Sequence, residues 1–183
     1  MNKDEVKTLF KYARESIKSR FDSTEFKPAK VPESLKEKMG VFVTLTINDD
    51  LRGCIGMVEP VTLWSGVIDA ARSSAFSDPR FMPLSEEEFK EVVIEISLLT
   101  VPKKTTLKAI KEGDGVIISQ GLRKALFLPQ VWEQLPNFDE FMSQLCMKAG
   151  LRSDCYNDSK TAFEKFSVEA WKEIKPCGDI KRV

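Results

Sequence analysis

The chain has no histidine in its 183 residues. That absence removes Ser-His-Asp and Cys-His catalysis, imidazole acid–base chemistry and histidine-ligated zinc, iron or copper. Protons would have to be moved by Asp, Glu, Lys, Tyr, Cys or water, and no metal site is assigned. Charge of one sign is not in excess either: Lys plus Arg and Asp plus Glu both number 28. A general phosphate-binding surface shows as a basic excess, so nucleic acid is not an expected partner. No run approaches the roughly 20 apolar residues that cross a bilayer. The start Met1-Asn2-Lys3-Asp4-Glu5-Val6 has acidic residues where a signal peptide needs an apolar run. The expectation is a cytoplasmic protein, outside membranes, whose four cysteines (Cys54, Cys146, Cys155 and Cys177) are reduced thiols. They include no C-x-x-C pair, which disfavours a structural zinc. Neither a G-x-G-x-x-G nor a Walker pattern occurs, so a nucleotide-binding fold has no support.

What is present is the composition of a folded protein, 42% apolar and 31% charged, long enough for one core or for two lobes sharing one. Val6, Leu9, Phe10, Ala13, Ile17 and Phe21 recur at helical spacing behind a capping-box pair, Asn2 and Glu5. The prolines of 27–32 mark a connector, and Ser34 with Glu37 predicts one short capped turn. Val41, Val43, Leu45 and Ile47 alternate with Phe42, Thr44 and Thr46, which is a strand with one apolar face. A turn at 48–50 leads to a second, glycine-interrupted strand over 51–58. A helix is predicted over 63–76, a loop over 77–81, and a short helix after the Ser85/Glu88 capping box. Strands follow at 92–101 and 116–118, the latter entering a hairpin with 125–128. Pro129 suits the first position of a helical turn, where its missing N–H costs nothing. Asn137 caps a further helix that Gly150 stops, and 161–174 reads as one last strand. The class is α+β, mainly antiparallel with flanking helices.

Leu51-Arg52-Gly53-Cys54-Ile55-Gly56 is the most unusual stretch. Two glycines permit a bulge or a close backbone approach, and each weakens an ordinary strand. In extended backbone Arg52 and Cys54 share a face, and a guanidinium near a thiol favours the thiolate. One reading is a nucleophilic or ligand-binding Cys54, with Gly53 and Gly56 exposing amides to an anion. The other is a bulged strand with a small core thiol. Asp78-Pro79-Arg80 can orient a polar substrate, or form an Asx-type turn closed by an ion pair. Gln130 stands at a strand-to-helix junction where free N–H groups collect, although from spacing alone surface solvation is the preferred reading. Cys146 lies on an apolar helix stripe and reads as core. Glu86-Glu87-Glu88 reads as acid at a helix N-terminus.

The hexapeptide closely resembles the signature of the AMMECR family, named for a chromosomal-region gene linked to Alport syndrome and midface hypoplasia. Ser74 to Leu84, Glu95-Ile96-Ser97-Leu98-Leu99, Leu126 to Val131 and Leu145 to Leu151 resemble further blocks of the family in the same order. The segments 121–125 and 135–138 depart from it without touching the hexapeptide. The resemblance implies a single AMMECR-like domain over 1–183, in two sub-lobes with residues 51–56 near a cleft between them. It implies no settled reaction and no known cofactor. It implies partners among Memo-like and radical-SAM proteins, in shared work on a small molecule or a modification. Two functions follow. One is a ligand- or partner-binding module around the hexapeptide. The other is an enzyme or cofactor-handling component in which Cys54 is nucleophile or thiolate ligand, Arg52 supports its anionic form, and Asp78 moves protons. Arg80 and Gln130 are the further expected companions of the site.

Overall fold

In the computed structural model, which describes residues 1–183, helix α1 (Lys3–Phe21) starts at Asn2. The Asn2 side chain accepts the Asp4 and Glu5 amides while the Glu5 carboxylate accepts the Asn2 amide, so the capping box forms as expected. The chain then divides into two units, one of Met1–Leu99 with Glu169–Val183 and one of Thr100–Val168.

In the first unit a five-stranded sheet runs in the order β2 (Asp50–Thr62), β1 (Lys38–Ile47), β3 (Val93–Leu99), β8 (Val168–Glu173), β9 (Ile180–Arg182). β1 pairs antiparallel with both β2 and β3. The β1–β2 hairpin turns at Asn48 and Asp49, both at positive φ, as a two-residue turn between twisted strands requires. Val41, Val43 and Leu45 are fully buried and build the core with α1, α2 (Leu63–Phe76), Ile94 and Ile96. Each such side chain contributes about 1.5–3 kcal/mol of burial. The opposite face, with Phe42, Thr44 and Thr46, is half-buried. α3 (Glu86–Glu91) follows the Ser85/Glu88 capping box. Arg14 of α1, half-buried, pairs with the buried Glu173 of β8 and also donates to the carbonyls of Phe89 and Val92, while Glu173 accepts the Ile94 amide. This ion pair ties α1, β3 and β8 together.

In the second unit the order is β4 (Lys103–Thr105), β7 (Ala162–Phe166), β5 (Gly115–Gln120), β6 (Arg123–Phe127). A short α4 (Val131–Gln134) and α5 (Phe138–Lys148) complete it. Asn137 caps α5 through the Glu140 amide, and Gly150, at φ +71°, ends it. Trp132 stacks on Phe141 in the core, their centroids 3.7 Å apart.

Several sequence expectations change. The turn over Glu33–Lys36 is a 310 turn entered from Pro32 with no side-chain cap, so Ser34 and Glu37 form none. The single strand expected over 161–174 is two strands in two sheets, β7 and β8. They part at Ser167, whose amide and carbonyl are held by Thr100. β2 runs on to Thr62 along the sheet edge, where the irregular register around Pro60 accommodates its missing donor. The cysteines are not all reduced thiols. Cys146 and Cys155 are joined in a disulfide, Cα to Cα 5.9 Å, and only Cys54 and Cys177 are free. The reversal at Gly150 and a 310 turn at Cys155–Asn157 bring Cys155 back onto the end of α5. A nine-residue separation carries no signal for that return. Cys146 is core, as its helical stripe indicates.

Candidate functional site

The hexapeptide occupies the edge strand β2, and its glycines are required by close approach. A Cβ at Gly53 would lie 2.1 Å from the Ser74 carbonyl oxygen of α2. A Cβ at Gly56 would lie 2.1 Å from the Val41 carbonyl oxygen and 2.5 Å from Phe42 Cα. No side chain fits at either position without moving backbone. Ser74 also inserts its hydroxyl between the strands. It donates to the Val43 carbonyl at 2.7 Å and accepts the Ile55 amide at 2.8 Å. The last turn of α2 is thereby bolted to the middle of the motif.

The register slips between Leu45/Gly53 and Thr46/Leu51, which leaves Arg52 as an extra residue opposite no partner. This is a β-bulge, and it re-aims Arg52 out of the regular alternation. Its guanidinium is held by Glu88 at 2.8 and 3.0 Å and donates to the Met82 carbonyl at 2.9 Å. It also lies 5.7 Å from the centre of the Phe81 ring. No hydrogen bond joins Arg52 to the Cys54 sulfur. Arg52 Nη1 is buried and has no partner. Arg52 brings the Glu88 carboxyl down to about 2, helped by the Ser85 amide, against the opposing effect of burial.

Cys54 is held on both sides. On the outer edge its amide donates to Asp78 Oδ2 at 2.8 Å, and its carbonyl accepts Arg80 Nη2 at 3.2 Å. The Asp78–Arg80 pair thus takes the place of a neighbouring strand and covers an exposed edge. On the inner side Cys54 is the register partner of Thr44, whose hydroxyl donates to Sγ at 3.3 Å. With both backbone groups of Cys54 turned outward, Thr44 and Cys54 form a non-hydrogen-bonded pair, the geometry that brings opposite side chains closest. The thiol is half-buried.

Asp78 is almost fully buried yet saturated with donors: Cys54 N, Arg80 N, and Arg80 Nε and Nη2. Arg80's side-chain hydrogen bonds hold its carboxyl well below the usual carboxylate range, and the amides of Cys54 and Arg80 add to this against burial. Asp78-Pro79-Arg80 is thus the Asx-type turn closed by an ion pair, and the same pair holds the Cys54 backbone.

The structure thus gathers Arg52, Gly53, Cys54, Gly56, Asp78 and Arg80 in one place. Gln130 belongs to the second unit, at the entry to α4, and makes no capping bond. No group of three or more Asp, Glu or Cys side chains is arranged to hold a metal ion, and no helix is long and apolar enough to cross a membrane. Sequence reasoning passed over Thr44, Ser74 and Glu88 as site residues. In the sequence Ser74 stands out only as part of a family-like block, Glu88 only as a helix cap, and Thr44 only as one member of an alternating strand.

The comparisons with known proteins agree with this architecture. The family model described as AMMECR1 matches residues 10–171. A protein of Aquifex aeolicus is 40% identical, with 98% of each chain covered. One of Pyrococcus furiosus is 39% identical, with 95% of this chain and 90% of the relative covered. The crystal structure of the uncharacterized protein PH0010 from Pyrococcus horikoshii superposes with a TM-score of 0.86 at 38% identity, covering 100% of this chain and 98% of the other. The edge-strand motif, its glycine contacts and these matches place the chain in the AMMECR1 family.

Proposed function

We propose that the segment around Cys54 is a binding site for a small ligand or a partner segment carrying an anionic group, with the thiol at its centre. The observation that carries this reading is the convergence of restraints on three residues. Gly53 is pressed against α2, Cys54 is held through its amide and carbonyl by Asp78 and Arg80, and Ile55 is held through Ser74. An edge strand needs none of these to pair with β1. Their joint effect is to hold one backbone stretch still while the thiol keeps a single hydrogen-bond partner. The anionic part of the reading draws on the Arg52 and Arg80 guanidinium groups, which bring two cationic groups to the motif.

A second reading has its own support. A hydroxyl donor aimed at a sulfur is the arrangement by which an enzyme steadies a thiolate or a sulfur-bonded adduct, and Thr44 provides it. In that reading Cys54 is a nucleophile or thiolate ligand in an enzyme or cofactor-handling component, and Memo-like and radical-SAM proteins are the proposed partners.

The test is alkylation of the folded protein by iodoacetamide, followed by peptide mass spectrometry. The exposed Cys177 serves as an internal standard. The proposal expects Cys54 to react in the folded state, and inorganic phosphate to slow that reaction in the wild type but not in Arg52→Ala. A Cys54 that reacts only after unfolding is a structural thiol, and the proposal then fails.

A further inference from the structure

The half-buried face of the five-stranded sheet carries a carboxylate that the site as described leaves unused. Thr44 is the register partner of Cys54 on one side and of Glu95 on the other. Directly opposite residues in antiparallel pairs place their Cβ atoms about 4.5–5.5 Å apart. Cys54, Thr44 and Glu95 therefore stand in one row on one face, with the outer two about 10 Å apart across two strand spacings. Glu95 is half-buried, accepts no hydrogen bond and forms no ion pair, which is uncommon for a carboxylate in the middle of a sheet. The other acids near the motif are committed: Asp78 to Arg80 and Cys54, Glu88 to Arg52.

We propose that Glu95 is the residue that stores and returns the proton of the Cys54 site, acting through the Thr44 hydroxyl. The inference rests on the reading of Cys54 as the reactive group of the site. The hydrogen-bond polarity suits it. Thr44 already donates its proton to Sγ, so its oxygen is free to accept one from a neutral Glu95. The resulting chain is Glu95 O–H to Thr44 O–H to Cys54 S⁻. When the sulfur, or a group leaving it, takes up the Thr44 proton, Thr44 takes the Glu95 proton and Glu95 becomes a carboxylate. In reverse, the thiol proton returns by the same two transfers, so no atom or charge is lost. The glutamate side chain has the free torsions needed to bring its carboxyl onto the Thr44 oxygen. Burial raises the Glu95 carboxyl above its ordinary value, and the attraction of Lys172 on β8 offsets this only in part. Lys172 is itself shared with Asp49 at 3.6 Å. From β1 the facing residue is Thr44, and from β2, one strand beyond, Cys54. Two carboxyls in one neighbourhood, one held ionised and one pushed toward the neutral form, divide the roles of anchor and proton carrier between Asp78 and Glu95.

The experiment is the pH dependence of Cys54 alkylation by iodoacetamide in the full chain, for wild type, Glu95→Gln and Thr44→Val. The wild type should show two inflections, one from the thiol and one from Glu95. Glu95→Gln should leave only the thiol inflection. Thr44→Val should also lose the second inflection although Glu95 is still present, which a purely through-space charge effect would not do. A Glu95→Gln profile that superimposes on the wild type overturns the proposal. A second measurement separates it from the reading beneath it. The ¹³C carboxyl resonance of Glu95 is followed with pH in wild type and in Cys54→Ser. A second inflection at the thiol titration, absent in Cys54→Ser, supports the proton coupling even if Cys54 proves inert to iodoacetamide and the binding reading falls. Identical single titrations in the two proteins overturn the coupling even if Cys54 is reactive.

Discussion

Replacing Gly53 by Ala puts a methyl group 2.1 Å from the Ser74 carbonyl oxygen, where ordinary contact begins near 3.4 Å. The obstacle is helix backbone and cannot swing aside, so α2 and β2 must part by roughly 1.3 Å along that line, an overpacking that costs about 1–3 kcal/mol. Parting them also strains the Ser74 hydroxyl bridge between the Val43 carbonyl and the Ile55 amide. One or two such bonds add roughly 0.5–1.5 kcal/mol each. The smaller chain entropy of alanine in the unfolded state returns about 0.4–1 kcal/mol. The net expectation is a loss of about 3 kcal/mol, or some 6–12 °C in melting temperature for a chain of this size. Calorimetric melts of Gly53→Ala beside Gly121→Ala decide it. Gly121 has positive φ but nothing within 4 Å of a Cβ, so its variant reports backbone conformation alone, about 1–2 kcal/mol. If Gly53→Ala melts no lower than Gly121→Ala, close packing on α2 is not what requires glycine in the motif.

Glu173→Gln leaves the half-buried Arg14 guanidinium without its counter-charge and should cost about 3–5 kcal/mol in urea unfolding; replacing both residues by Met should recover much of that, and a neutral single variant would refute the role given to the pair. The Glu88 carboxyl lies at about 2 in the folded protein against an ordinary 4.5. Its contribution is therefore complete above about 4.5 and lost as pH falls toward 2. Asp78 has the same sign. Glu88→Gln should flatten the fall of the urea midpoint across that window, most visibly at low salt, and an unchanged acid limb would show that the ion pair with Arg52 contributes nothing there. Cys155→Ser opens a disulfide that spans nine residues, which in the chain-entropy view lowers stability by roughly 2–3 kcal/mol. Melts of the Trp132 signal with and without reductant measure it, and coincident wild-type curves would mean that the bond is not made in solution.

Local features were legible because their causes are local. The Asn2/Glu5 and Ser85/Glu88 capping boxes, the 63–76 helix, the Asn137 cap and the Gly150 stop all formed where short-range spacing placed them. The alternation of Val41 to Ile47 correctly identified its buried face. The failures share another cause. At Ser167 the polypeptide leaves one sheet for the other, yet apolar alternation continues through the break, so one strand was read where two exist. The disulfide was missed because nothing in a nine-residue spacing reports the reversal that closes it.

The same division runs through the site. Three features of the site are already present in the primary structure: Arg52, two glycines and Cys54 lie together on a strand, imidazole plays no part, and the chain resembles one family. These follow from residue identity and short-range order. What surrounds the thiol depends on the fold. The bulge at Arg52 carries its guanidinium to Glu88 rather than to the sulfur, the loop after α2 brings Asp78 and Arg80 onto the Cys54 backbone, and strand register sets Thr44 beside it with Glu95 one strand further on. A one-residue slip in register would send each of those side chains to the other face, and register is a property of paired strands that no single strand's sequence contains.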